Sequence, residues 1–182
     1  MQSVKYLSSW LNDNANNERY LFTLKDLRSL LPEMSDIAFK TCLSRAVKTN
    51  YLKRVSRGLY IHEKSMPYEG LVLFHAISLL RGDSFNYISL ETALSDAGVI
   101  SQVPFSWITI MSSGRSNTIT CGDFGTIEFV HTMQKPDQLV GQLSYDSRCR
   151  LWRADIPLAL RDMKKTRRNC DLIDWEVVDE LV

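Results

Sequence analysis

The sequence predicts an α+β protein: a small basic module, then a mixed α/β region built on a small sheet. Three observations carry this. Apolar residues recur three and four apart through the first fifty positions, the period of amphipathic helices. Between residues 106 and 132 the pattern changes to short β-rich runs separated by glycine-containing turns. The charge is also divided unevenly. The whole chain has a net charge of +1, yet residues 1–64 hold eleven basic and six acidic side chains, and the remainder eleven and fifteen. A +5 module beside a −4 module suggests one polyanion-binding part and one part with another task.

The first helix is expected over residues 3–14, with Val4, Leu7 and Leu11 at helical spacing and the Asn-rich stretch 12–17 as its end. Thr23 is suited to cap a short helix through Leu31, on the stripe Leu24, Leu27, Leu30 and Leu31. Pro32 closes it. Ser35 or Asp36 then caps a third helix reaching about Asn50.

That third helix is the most informative segment. Phe39, Cys42, Leu43, Ala46 and Val47 fall on one apolar face. Lys40, Thr41, Ser44, Arg45 and Lys48 fall on the other, with no acid among them. A merely solvated face usually mixes both signs and gains pairs four residues apart. Next, Leu52, Val55, Leu59 and Ile61 suggest two short strands joined at Ser56-Arg57-Gly58, with Gly58 supplying the positive φ of the turn. The hairpin carries Lys53, Arg54 and Arg57. Helix, short helix, turn, basic helix and basic hairpin is the order of a winged helix-turn-helix. A domain over residues 1–66 follows, with Lys40, Thr41, Ser44, Arg45, Lys48, Lys53, Arg54 and Arg57 as candidate contacts to duplex DNA. A solvated basic helix, or an edge hairpin shielded by charge, is the plainer alternative.

Pro67 opens the second predicted domain, residues 67–182. A largely buried helix is expected over 68–80, and a short one over 90–97 with Ser89 as cap and Gly98 as stop. Runs beginning at Trp107, Thr118 and Thr126 predict a meander or small sheet. Asp155 is suited to cap a last major helix whose apolar face is Ile156, Ala159, Leu160 and Met163, and 172–182 adds a short terminal helix. Two basic clusters stand out in this acidic half: Arg148, Arg150 and Arg153, then Lys164, Lys165, Arg167 and Arg168. They form a possible second nucleic-acid surface, although cations at a helix C-terminus are favoured by the helix dipole alone.

With 45% hydrophobic and 24% charged residues, the chain has ordinary globular composition. It lacks the long apolar run of a membrane span, and residues 1–10 lack the pattern of a signal peptide, so a cytoplasmic protein without membrane association is expected. Cys42, Cys121, Cys149 and Cys170 are far apart and read as free thiols. His62, His75 and His131 have no metal-ligand spacing, and His75 reads as a core histidine. Ser112 to Ser116 is neither a phosphate loop nor a nucleophile elbow. No cofactor, metal or enzymatic activity is expected.

Several segments carry a resemblance. Arg57-Gly-Leu-Tyr60, Tyr87-Ile-Ser-Leu-Glu-Thr-Ala-Leu94 with Gly98-Val-Ile100, the Ser113-Gly-Arg-Ser116 turn and Ala154-Asp-Ile-Pro-Leu-Ala-Leu160 occur in an order that resembles the AbiEi antitoxins of type IV abortive-infection toxin–antitoxin systems. The resemblance reaches about Asp174. It implies an N-terminal winged helix that represses the protein's own operon at inverted repeats in the promoter, and a second domain that opposes a nucleotidyltransferase-like toxin. Two alternatives stay open: a plain winged-helix transcription factor with a ligand-binding or dimerisation domain, and an RNA- or toxin-binding interaction protein.

Overall fold

A computed structural model describes residues 2–101 and 106–182. The chain divides into two compact units, one of 1–72 with 122–124 and one of 73–121 with 125–182.

In the first unit, α1 (Gln2–Asn14) is followed by β1 (Leu21–Thr23), α2 (Leu24–Ser29), α3 (Asp36–Lys48), β2 (Lys53–Ser56) and β3 (Leu59–Ile61). Thr23 caps α2 through a reciprocal box with Asp26: its hydroxyl accepts from the Asp26 N–H at 3.1 Å, and the Asp26 carboxylate accepts from the Thr23 N–H at 2.8 Å. The helix ends at Ser29, so Leu30 and Leu31 belong to the turn rather than to the helix. β1 was not foreseen. Its three residues, the last of which is the cap Thr23, pair antiparallel with β3 and complete a sheet of order β1-β3-β2. Leu7, Leu11, Phe22, Leu27, Phe39, Cys42, Leu43, Ala46 and Leu52 form the core beneath it.

The helix expected over 68–80 begins later than that. A 3₁₀ turn at Glu69–Leu71 precedes α4 (Val72–Leu80). Then come β4 (Asn86–Ile88), α5 (Leu90–Asp96), β5 (Trp107–Ser112), β6 (Asn117–Thr120), β7 (Thr126–His131), β8 (Leu143–Asp146), β9 (Leu151–Ala154), α6 (Ile156–Lys165) and α7 (Trp175–Leu181). Where a meander or small sheet is expected, the strands form a six-stranded mixed sheet of order β6-β7-β5-β4-β9-β8. β5 runs parallel to β7, and β4 parallel to β9. Gly125, at φ +117°, lies so close to the Ser106 carbonyl that an added Cβ would meet its oxygen at 2.1 Å.

Asp155 caps α6 as expected, accepting from the Leu158 N–H at 2.8 Å. The buried face of α6 is Leu158, Ala159, Asp162 and Met163, which places a carboxylate in the core. Asp162 accepts hydrogen bonds from the Tyr87 hydroxyl at 3.0 Å, the Ser89 hydroxyl at 2.8 Å and the Gln134 amide at 3.1 Å. Buried carboxylates persist only when so satisfied. Ser89 precedes α5 at the cap position, but it makes no capping bond because its hydroxyl points to Asp162. Thr109 of β5 takes over. Its hydroxyl accepts from the Thr92 N–H in the first turn of α5 at 3.1 Å, and the Thr92 hydroxyl accepts from the Thr109 N–H at 2.8 Å. His75 is buried, with Nε2 2.7 Å from the Arg148 carbonyl.

Candidate nucleic-acid interface

The turn between α2 and α3 is organised by one residue. The Arg28 guanidinium donates to the carbonyls of Leu31 and Met34, lies 3.7 Å from the Asp36 carboxylate and stacks 5.2 Å from the centre of the Phe39 ring. It thereby ties the end of α2 to the start of α3. Sequence periodicity did not flag it, because its partners are carbonyls rather than side chains. Ser35 caps α3, its hydroxyl accepting from the Ala38 N–H at 3.3 Å.

Phe39, Cys42, Leu43 and Ala46 anchor α3 in the core, with 4% exposure or less. This turns Lys40, Thr41, Ser44, Arg45 and Lys48 outward, and all five are exposed. The Thr41 hydroxyl donates back to the Ile37 carbonyl at 2.9 Å. Ile37, which the sequence reading passed over, is 81% exposed on the same face. Its signal was available: it stands four residues before Thr41 and seven before Ser44.

The hairpin turns at Arg57 and Gly58, with Gly58 at φ +78°. A register shift between Arg54 and Ser56 puts a bulge in β2. Arg54 is exposed and its Nε donates to the Ser56 carbonyl at 3.2 Å. A groove of about 750 Å³ runs between α3 and the hairpin, lined by Leu24, Leu43, Val47 and Tyr60 and by Lys40, Ser44, Lys48, Arg54 and Arg57. Lys53 is not on it. Its ammonium lies 3.1 Å from both the Glu63 and the Asp123 carboxylates, and hydrogen bonds to Asp123 and then Glu63 raise its pKa. Among the described residues, no ion pair engages Lys40, Arg45, Lys48, Arg54 or Arg57.

The second unit uses its basic residues differently. Arg153 lies 2.5 Å from the Asp96 carboxylate and 2.8 Å from that of Asp146. Burial pushes the Asp146 carboxyl up, but the Cys149 N–H and Arg153 outweigh it and hold the pKa at about 2. Arg168 lies 3.4 Å from Glu91 and 2.5 Å from Glu128. Lys164 sits 5.7 Å from the centre of the Trp175 ring. Arg148, Arg150, Lys165 and Arg167 are exposed. Of the two basic clusters of the sequence, Arg153 and Arg168 are therefore engaged in ion pairs within the second unit.

All four cysteines are free thiols. Burial pushes the Cys121 and Cys149 thiols up to about 11. Among the described residues, no helix is long and apolar enough to cross a membrane. The chain matches no family model and no curated protein.

Proposed function

We propose that the chain binds duplex DNA through its first unit, as a winged helix-turn-helix repressor of its own operon. In that role α3 enters the major groove and the β2–β3 hairpin is the wing. The observation that carries the proposal is the exposed face of α3 beside the hairpin, where Lys40, Arg45, Lys48, Arg54 and Arg57 stand without carboxylate partners among the described residues. Phosphate is the ligand that such a surface suits, since neutralising it releases condensed counterions. The element order and the closure of the hairpin sheet by β1 support the same role. The order of motifs that resembles the AbiEi antitoxins supports a second task, opposition to a nucleotidyltransferase-like toxin by residues 67–182.

The test pairs two measurements. Binding of the whole chain to the duplex upstream of its gene is titrated against scrambled duplex over a range of salt. In parallel, the chain is co-expressed with any neighbouring nucleotidyltransferase and scored for growth. A promoter bound no better than scrambled duplex at any salt removes repression. Absence of protection removes the antitoxin task. A second reading, a plain winged-helix factor, is favoured by a pocket of about 480 Å³ in the second unit, lined by Phe85, Pro136, Leu139, Val140, Leu143 and Trp152. Promoter binding without protection from any toxin selects it.

A further inference from the structure

We propose that Ile37 is a base-reading residue, which recognises a thymine through contact with its 5-methyl group. This rests on the proposal that α3 enters the major groove, and it concerns what the helix reads there. Ile37 occupies the second position of α3 and is 81% exposed. At 100° per residue it lies directly opposite the buried face of Phe39, Cys42, Leu43 and Ala46. Ile37, Thr41, Ser44 and Lys48 therefore form one outward ridge, about 16 Å long at 1.5 Å per residue.

The chemistry changes along that ridge. Its C-terminal end is cationic and suits phosphate. Its N-terminal end is an aliphatic side chain that packs against nothing in the first unit's core. In the major groove, the 5-methyl group is what distinguishes thymine by apolar contact rather than by hydrogen bonding. Isolated apolar residues are ordinary on protein surfaces, but this one stands on the face whose other members are all polar or cationic. It is also β-branched, so in a helix its χ1 is almost fixed and little side-chain freedom is lost on contact. Thr41 is the competing methyl-bearing residue. Its hydroxyl is committed to the Ile37 carbonyl, and it lies one turn further from the helix end.

The experiment begins by selecting preferred duplexes from a random library with the full chain. Each thymine of the preferred site is then replaced by deoxyuridine, which removes only the methyl group, and affinity is read by fluorescence anisotropy. Losing one buried methyl corresponds to about a fourfold weakening. The wild type is expected to show that loss at one or more positions. Ile37→Ala is expected to bind the thymine and deoxyuridine duplexes alike there, and Ile37→Val to keep most of the difference. Thermal unfolding checks that each variant is folded, which exposure at this position favours. Methyl dependence that survives Ile37→Ala, or that disappears with Thr41→Ser instead, overturns the role of Ile37 and leaves DNA recognition standing. A library from which no sequence is enriched overturns both.

Discussion

The basic face of α3 and its hairpin differs from the ion-paired arginines of the second unit. On α3 and the hairpin, five cations face outward with no carboxylate among the described residues to meet them. In the second unit, Arg153 and Arg168 each bridge two acids, Asp96 and Asp146 for one, Glu91 and Glu128 for the other. Under the proposed DNA-binding role, a count of basic residues alone would overstate the surface open to phosphate. A charge already neutralised by the fold releases no counterions when DNA arrives. Lys53 makes the same point within the basic module, since Glu63 and Asp123 hold it off the groove.

If that contrast is right, neutralising cations in the two units has opposite consequences. The largest effect is expected at Arg168. Its side chain is 24% exposed and those of Glu91 and Glu128 are 23% and 22% exposed. Arg168→Met would strip the cation from both carboxylates, leaving Glu128 with the Trp107 indole N–H at 3.1 Å, while the Glu91 Oε2 atom is already buried without a partner among the described residues. Breaking so well covered a triad is expected to cost about 2–3 kcal/mol in urea unfolding, with promoter affinity unchanged. An equal loss of DNA binding in a folded variant would return Arg168 to the nucleic-acid surface.

A slightly smaller effect is expected from acid. The Asp146 pKa is about 2 in the fold and 3.8 ordinarily. Because the folded value is depressed, the ionised group adds stability above pH 4, and that contribution is lost as pH falls towards 2. The difference corresponds to about 2 kcal/mol. Unfolding of the wild type and Asp146→Asn at pH 5 and near pH 2 should show the gap between them closing at the lower pH. A gap that persists would mean that shape, not charge, is what Asp146 provides.

The smallest change in stability is expected where binding changes most selectively. Lys48→Ala and Arg57→Ala should each lower the slope of log K against log salt by about 0.9 for one lost phosphate contact. Their stabilities should stay within about 0.5 kcal/mol of the wild type. Lys40→Ala and Ser44→Ala should instead relax base preference, by about 1–3 kcal/mol for a bidentate contact and less for one hydroxyl. Equal effects of all four on specific and scrambled duplexes would show that α3 does not read bases.

What could be read from the sequence follows the range of the interactions involved. α1, α3, the β2–β3 hairpin and α6 rest on local periodicity and local caps, so Ser35, Gly58 and Asp155 announce them. β1, β4, β8 and β9 have three or four residues each, too few for alternation to register. The parallel pairing of β5 with β7 joins strands separated by another strand, and no local signal encodes it. The partners of Arg153 and Arg168 hid for the same reason: Asp96 is 57 residues from Arg153, and Glu128 is 40 from Arg168. Asp162 had a faint signal, a carboxylate among the apolar positions of α6. The exposed face of α3 was legible except for Ile37, because a search for cations passes over an exposed aliphatic.

The exchange of hydrogen bonds at the start of α5 has a consequence for how the chain folds. A seven-residue helix is too short to persist alone, since nucleation is costly and few bonds follow it. Most such helices are helped by a neighbour in sequence that caps the first turn. Here the neighbour, Ser89, is drawn away by Asp162, and the cap comes from Thr109, 17 residues from Thr92. Leu90, at φ +57° and fully buried, adds a left-handed backbone that an isolated peptide would not favour. The side-chain bonds that hold the first turn of α5 therefore depend on β5 being in place. The stability of α5 is thus tied to closing the loop between Thr92 and Thr109 more than to helix propensity.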